Sequence, residues 1–305
     1  MHEQFADVGN GITLCYETFG DPSAPPALLV MGLGTQMIAW DTRFCEDLAR
    51  RGFFVIRFDN RDIGRSTRLD GAHVPSLAEL ALRRIPSPAY KLADMALDTV
   101  GLMDALALER AHVIGVSMGG MIAQTVAARH PSRTRSLTSI MSNTGARFSG
   151  QPALRTYPVL LGKSPSDRDG FIERGAKTWG IIGSPGFERD DIELRAMIGL
   201  SFDRGASPAG TARQLGAIVA SGDRRRELRA VQAPTLVIHG DADKLVSPSG
   251  GRATAKAIDG ARLITIPGMG HDLPRGAWPQ ILGAIAQHAH GVDVAAGIEP
   301  AVRAA

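Results

Sequence analysis

The stretch Gly115-Val116-Ser117-Met118-Gly119 decides how this chain of 305 residues is interpreted. It fits the pattern G-x-S-x-G and lies between a short apolar run, Ala111–Val116, and a segment with helical spacing, Met121–Arg129. In a sharp turn from strand to helix, such glycines leave room for a strained serine whose hydroxyl stands above the sheet edge. The pattern makes Ser117 a candidate nucleophile, with a glycine-rich structural turn as the alternative.

Apolar runs alternate with helical patterns on both sides of this motif. Strands are predicted at Ile12–Glu17, Ala27–Met31, Phe53–Phe58, Ala111–Val116, Thr235–Ile238 and Arg262–Ile266, and helices at Phe44–Arg51, Lys91–Leu106 and Met121–Arg129. Strands that alternate with helices in this way predict an α/β protein with a mostly parallel central sheet and helices on both faces.

The alternation stops between residues 144 and 229, where Gly, Ser and Pro interrupt helix-like segments and no buried strand is evident. We therefore predict a core formed by residues 1–143 and 230–290, with residues 144–229 inserted as a helical cap. The final segment, 291–305, has a weak pattern and is predicted to be a flexible tail.

Composition excludes several classes of protein. Hydrophobic residues make up 44% of the chain and charged residues 21%, as in ordinary globular proteins. No apolar run of about 18 residues indicates a membrane helix, and the N-terminus lacks the pattern of a signal peptide. The two cysteines, Cys15 and Cys45, form no C-x-x-C motif. A reduced, cytoplasmic setting without membrane association is therefore expected.

The formal charge of +3 is concentrated in the predicted cap, which holds 14 Lys or Arg against 10 Asp or Glu. No dense basic stripe with interleaved aromatic residues accompanies it, so nucleic acid is not an expected partner. The run Arg224-Arg225-Arg226 is predicted to be a solvated helix end or loop, with a binding site as the alternative. No zinc-type cluster, P-loop or dinucleotide fingerprint is present, so neither a metal nor a cofactor is expected.

A serine hydroxyl needs a base to take its proton. Two predicted strands end in His239-Gly240-Asp241-Ala242-Asp243 and in Gly268-Met269-Gly270-His271-Asp272. Both stretches lie at carboxyl ends of strands, where open α/β sheets place their sites. His271 is the candidate general base. Asp241 is also suited to a local turn, and Asp272 to a local hydrogen bond.

These motifs, with Met31-Gly32-Leu33-Gly34 and the run Phe58-Asp59-Asn60-Arg61-Asp62-Ile63-Gly64-Arg65-Ser66, resemble the α/β-hydrolase superfamily. Within it the chain is most similar to the group of aclacinomycin methylesterase and related actinobacterial carboxylesterases. The resemblance covers about residues 5–143 and 230–290. It is weak over the cap, where substrate choice resides.

The resemblance implies a role for each matching residue. Ser117 would be the nucleophile, His271 the base and Asp243, the fourth position of G-x-x-D, the acid. The N–H groups of Met118 and Leu33 would form the oxyanion hole. The family usually has His-Gly-x where this chain has Met31-Gly32-Leu33, which puts the anchoring of that loop in doubt.

The function so implied is that of a serine carboxylic-ester hydrolase, of esterase or methylesterase type, acting through an acyl-enzyme. Carbon–carbon bond hydrolysis, lactone opening and perhydrolysis are alternatives on the same triad, and a non-catalytic hydrolase-like receptor is a further one. A small-molecule ester is the expected partner, and a homodimer is compatible with the sequence. The run from Asn60 to Ser66 is expected to hold loops together.

Four apolar residues are candidates for the substrate pocket because thioethers and aromatic rings suit varied apolar ligands. They are Met37, Trp40, Met141 and Trp179. Core packing is the alternative for each of them.

Overall fold

A single sheet organises the protein in a computed structural model that describes residues 2–156, 162 and 165–297. Within these residues its eight strands are β1 (Gln4–Asp7), β2 (Thr13–Phe19), β3 (Pro26–Val30), β4 (Phe54–Phe58), β5 (Ala111–Val116), β6 (Thr134–Ile140), β7 (Thr235–Gly240) and β8 (Arg262–Ile266). Their spatial order is β1-β2-β4-β3-β5-β6-β7-β8. β1 and β2 pair antiparallel, β2 is antiparallel to β4, and the remaining pairs are parallel. The predicted α/β fold class is confirmed.

Helices cover both faces of this sheet. In the described residues they are α1 (Thr42–Arg50), α2 (Leu77–Ala81), α3 (Leu92–Ala105), α4 (Met118–Arg129), α5 (Arg168–Ile182), α6 (Asp191–Asp203), α7 (Pro208–Ser221), α8 (Arg225–Leu228), α9 (Ser249–Ala257) and α10 (Trp278–Ala295). None of them is long and apolar enough to cross a membrane.

The core has two layers because successive side chains of a strand point to opposite faces. On β3, Leu28 and Val30 pack with α3 and α4, whereas Ala27 and Leu29 pack with α1 and α10. Burial on both faces explains the continuous apolar run that identified this strand.

Strand β6 was not predicted, because hydroxyl side chains interrupt its apolar run. Ser136 and Ser139 are nevertheless buried, and each has a hydrogen-bond partner. The Oγ of Ser136 lies 2.8 Å from Nδ1 of His112, and the Oγ of Ser139 accepts a hydrogen bond from Nε2 of Gln124 at 2.9 Å. Such pairing makes a buried hydroxyl tolerable, but hydropathy along the chain does not reveal it.

In the described part of the segment predicted as the cap, helices α5 to α8 lie between β6 and β7. Hydrogen bonds from Arg224 connect the end of this segment to its beginning. Its backbone N–H donates to the carbonyl oxygen of Thr144 at 2.8 Å, and its Nη2 donates to that of Asn143 at 2.7 Å. The prediction of a solvated run is therefore wrong for Arg224, which is buried, whereas Arg225 and Arg226 are exposed.

The predicted flexible tail begins too early. Helix α10 continues to Ala295, and Asp293, placed in the tail, is buried. Its carboxylate lies 3.1 Å from Nε2 of His112 and accepts a hydrogen bond from Nη1 of Arg135 at 3.3 Å. These contacts hold the last turn of the helix against the sheet. Residues 298–305 lie outside the described residues.

Candidate active site

Ser117 stands in the turn between β5 and α4. Its φ and ψ are 55° and −121°, a conformation that side chains rarely adopt. Its N–H donates to the carbonyl oxygen of Ile140 at 2.9 Å, which ties the turn to β6. A side chain at Gly115 would collide with the backbone of Gly119, so the turn requires glycine there. The sequence pattern therefore corresponds to a strained turn that presents the hydroxyl of Ser117.

A chain of two hydrogen bonds joins Ser117 to His271 and Asp243. The Oγ of Ser117 lies 3.0 Å from Nε2 of His271, and Nδ1 of that ring lies 2.7 Å from Oδ2 of Asp243. The carboxylate requires a donor, so Nδ1 carries the proton and Nε2 is free to accept the proton of Ser117. The structure thus brings the three predicted residues into the geometry of a nucleophile, a base and an orienting acid.

Asp243 is held in its ionised form. Its Oδ1 accepts hydrogen bonds from the N–H groups of Leu245 and Val246, both at 2.9 Å. Burial by itself raises the pKa of this carboxyl, but interaction with His271 and hydrogen bonds from His239 and His271 outweigh it and lower the pKa to about 2. A permanent negative charge therefore faces Nδ1 of His271 at neutral pH.

The other two carboxylates do not reach His271. Asp241 is exposed and accepts a hydrogen bond at 2.7 Å from the N–H of Gly268, in the neighbouring loop after β8. Asp272 accepts a hydrogen bond from the hydroxyl of Ser184, and burial raises its pKa. Neither is the local contact expected from the sequence, because the partners lie 27 and 88 residues away along the chain.

His239 takes part in the site although the sequence analysis gave it no role. Its buried Nε2 lies 2.8 Å from the carbonyl oxygen of Val246 and 3.5 Å from Oδ2 of Asp243. The carbonyl requires a donor, so Nε2 carries the proton. His239 thus supports the loop that carries Asp243. The sequence could have indicated this role, because His239 lies at the end of β7 and four residues before Asp243.

The N–H groups of Met118 and Leu33 are placed near the nucleophile by their neighbours. Met118 opens α4 directly after Ser117, where a helix has unsatisfied N–H groups. Gly32 packs against the serine, since a Cβ atom placed on it would lie 3.7 Å from Oγ of Ser117. Within the described part of the chain, neither N–H donates a backbone or side-chain hydrogen bond. Both donors are thus available to a ligand.

A cavity of about 2390 Å³ opens over Ser117 and His271 and extends between the loops at the sheet edge and the helices α5, α6 and α7. Met141 and Trp179, two of the four candidate pocket residues, line it. Among the residues that the structure describes, no group of three or more His, Cys, Asp or Glu side chains could hold a metal ion.

Met37 and Trp40 do not line this cavity, so the prediction of a substrate-binding role is wrong for both. Each side chain is fully buried, and the ring of Trp40 packs 5.5 Å from that of Phe44, between centroids, in the core. The N–H of Met37 donates to Oδ1 of Asp59 at 2.7 Å. This bond holds the short helical turn Met37–Ala39 in an orientation that points the side chain of Met37 inward.

The run from Asn60 to Ser66 holds loops together, as the sequence analysis expected. Nδ2 of Asn60 donates to the carbonyl oxygen of Met31 at 2.9 Å, and the hydroxyl of Ser66 donates to that of Asp59 at 2.6 Å.

Comparison with known proteins agrees with this architecture. Residues 25–185 match a family model described as alpha/beta hydrolase fold, and residues 190–275 match one described as serine aminopeptidase, S33. The chain is 30% identical to rhodomycin D methylesterase DauP of Streptomyces sp. (strain C5), over 93% of this chain and 97% of that protein. It is 26% identical to 3-oxoadipate enol-lactonase 2 of Acinetobacter baylyi, over 81% and 82% of the two chains.

A solved structure is also similar. The enol-lactonase from Burkholderia xenovorans superimposes with a TM-score of 0.70 at 25% identity, over 95% of this chain and 100% of that one. The sheet order, the strained serine turn and the family match over more than half of the chain agree with one another. This protein therefore belongs to the α/β-hydrolase fold family.

Proposed function

We propose that this protein hydrolyses carboxylic esters through an acyl-enzyme formed on Ser117. The observation that carries the proposal is the hydrogen-bond chain from Asp243 through His271 to Ser117, with distances of 2.7 and 3.0 Å. It supports a serine activated by a base whose orientation an ionised acid maintains.

The first half of the reaction forms the acyl-enzyme. The Oγ of Ser117 attacks the ester carbonyl carbon while its proton passes to Nε2 of His271. The carbonyl oxygen becomes an oxyanion, which the N–H groups of Met118 and Leu33 stabilise. When the carbonyl re-forms, the bond to the alcohol oxygen breaks and His271 returns the proton to the leaving alcohol.

The second half releases the acid. His271 takes a proton from water as that water attacks the acyl carbon, and the oxyanion forms again between the same two N–H groups. Collapse of this intermediate breaks the bond to Oγ of Ser117, which recovers its proton from His271. Asp243 stays ionised throughout and stabilises the imidazolium at both stages.

The cavity supports an ester with one large apolar part. Its volume of about 2390 Å³ exceeds what a small ester fills. The apolar side chains that line it include Met31, Met121, Met141, Trp179, Ile182 and Leu215. The rhodomycin D methylesterases, about 30% identical to this chain, support a methyl ester as the substrate.

Hydrolysis of p-nitrophenyl esters from acetate to octanoate, with methyl esters of bulky aromatic acids alongside, tests the proposal. Ser117→Ala should abolish turnover, whereas Ser23→Ala, a matched change at an exposed serine, should leave it unchanged. If folded wild-type protein hydrolyses no ester but cleaves a carbon–carbon bond in a vinylogous diketone, carbon–carbon bond hydrolysis replaces the proposal. Labelling of Ser117 with no turnover of either class would favour a binding role.

Lactone opening is a second candidate. It is favoured by the enol-lactonases that match this chain over most of its length, at 25% and 26% identity. A lactone is an internal ester, so the same steps apply, and the leaving alcohol stays attached to the acid. Faster turnover of an enol-lactone than of every open-chain ester would establish it as the main activity.

A further inference from the structure

The cap contacts the loop after β3 through the buried side chain of Gln214 on α7. The N–H of Gly34 donates to Oε1 of Gln214 at 2.9 Å, and Nε2 of Gln214 donates to the carbonyl oxygen of Arg61 at 2.9 Å. Thr211 lies on the same helix face and packs so closely that a Cβ atom on Gly34 would lie 2.8 Å from its Cγ2. Gln214 therefore joins the loops after β3 and β4 to the cap.

The bond to Gly34 lies next to the candidate oxyanion donor. The carbonyl oxygen of Gly32, which shares a peptide with the N–H of Leu33, accepts a hydrogen bond from the N–H of Thr35 at 3.3 Å. Since that peptide is planar and trans, the N–H of Leu33 points away from Thr35. The hydrogen bond from Gly34 to Gln214 fixes the peptide that follows Leu33. Rotation about the backbone bonds of Leu33 is then restricted, so the orientation of the N–H of Leu33 depends on Gln214.

Gln214 also takes the place of an anchor that the sequence lacks. Met31 stands before Gly32 where the family usually has histidine, and its side chain cannot form a strong hydrogen bond. The carbonyl oxygen of Met31 is held instead by Asn60, at 2.9 Å. Asn60 holds the loop from the core and Gln214 holds it from the cap.

We propose that Gln214 is a positioning residue for the reaction, and that a docked cap is needed to keep the N–H of Leu33 aimed at the developing oxyanion. The inference rests on the proposed ester hydrolysis. If the inference holds, substrate access and catalysis are linked. A cap that opens to admit substrate would withdraw Gln214 from Gly34, and the N–H of Leu33 would lose its support.

Arg213 offers a matched control on the same helix. It is buried and forms a two-point ion pair with Asp62, at 2.7 and 2.9 Å, but it does not contact Gly34. Arg213→Met and Gln214→Met both remove buried polar contacts between α7 and the core. Only the second removes the contact to the oxyanion loop.

We expect Gln214→Met to lower kcat by about 10- to 100-fold while KM changes less than about threefold, since removal of an oxyanion donor costs about 10²–10³. Arg213→Met should lower the melting temperature at least as much but change kcat by less than about threefold. If Gln214→Met does not fold, Gln214→Asn serves, because its side chain is one methylene too short to span Gly34 and Arg61.

An alkyl trifluoromethyl ketone gives a readout that needs no ester turnover. Ser117 adds to its carbonyl carbon, the oxygen becomes an oxyanion, and the serine proton passes to His271. Fluorine NMR follows this hemiketal directly, and Gln214→Met should weaken it by the same factor as kcat, with Arg213→Met close to wild type.

The outcomes separate the two claims. If wild type hydrolyses esters and Gln214→Met retains both kcat and hemiketal affinity, the positioning role is wrong and the proposed function stands. Equal losses in the Arg213 and Gln214 variants would likewise overturn the positioning role. If wild type hydrolyses no ester but Gln214→Met still weakens the hemiketal, the inference survives and the proposed function fails.

Discussion

Nδ1 of His271 lies 2.7 Å from Oδ2 of Asp243, and both side chains are buried. Asp241, only two residues earlier, is exposed and bonds to the N–H of Gly268 instead. The loop after β7 thus separates two aspartates that the sequence alone offers as alternatives.

Asp243→Asn should lower kcat by about 10³- to 10⁴-fold, because an amide at this position favours the wrong tautomer of His271. Asp241→Asn, the same change two residues away, should stay within about threefold of wild type. Steady-state kinetics on one ester measures both. A larger loss in the Asp241 variant would reverse the assignment.

The low pKa of Asp243 predicts how stability depends on pH. A carboxyl whose pKa falls from 3.8 to about 2 on folding stabilises the folded state above pH 4, and this contribution is lost as the pH falls towards 2. The difference in unfolding free energy between wild type and Asp243→Asn should shrink by about 2 kcal/mol over that window. Urea titrations at several pH values measure it, and a constant difference would contradict the low pKa.

Arg224 should be important for stability, whereas Arg226, two residues away, should not. Nη1 of Arg224 donates to the carbonyl oxygen of Met121 at 3.1 Å and to Oε1 of Gln124 at 2.8 Å, in addition to its bond with Asn143. Since removing it leaves buried acceptors unpaired, we expect Arg224→Met to cost about 2–4 kcal/mol.

The exposed Arg226 provides the control. Arg226→Met should change the unfolding free energy by less than about 0.5 kcal/mol. Chemical denaturation of both variants checks the pair. Equal effects would mean that Arg224 is not the link between the ends of the cap segment.

Substrate preference should respond to Trp179 but not to Met37. Trp179 lines the cavity from α5, so Trp179→Ala should raise KM for octanoate more than for acetate. Met37 is fully buried in the core, and Met37→Ala should lower stability by about 2–5 kcal/mol without changing the preference for chain length. The p-nitrophenyl ester series and a thermal melt separate the two effects.

Local patterns placed the candidate residues of the site at one edge of the sheet, but the choice of Asp243 over Asp241 depended on the family resemblance. The turn around Ser117 needs glycines at fixed positions, and Asp243 and His271 follow the strands predicted at Thr235–Ile238 and Arg262–Ile266. Parallel strands bring their carboxyl ends to one edge of a sheet, so these three residues meet there.

Contacts between distant segments could not be predicted in this way. Gln214 lies 180 residues from Gly34 along the chain, and nothing in its local sequence distinguishes it from other helical glutamines. Met37 and Trp40 lie where the sequence shows no periodicity, and their turn is held by the hydrogen bond that the N–H of Met37 donates to Oδ1 of Asp59. The helix through Asp293 depends on its buried pairing with His112, which hydropathy does not register.

Detection of the acyl-enzyme tests the central claim most directly. Wild type mixed with p-nitrophenyl octanoate and quenched within milliseconds should gain the mass of one octanoyl group, which peptide mapping places on Ser117. Ser117→Ala should gain none and should lose turnover. An adduct on another residue, or turnover retained in Ser117→Ala, would contradict the account.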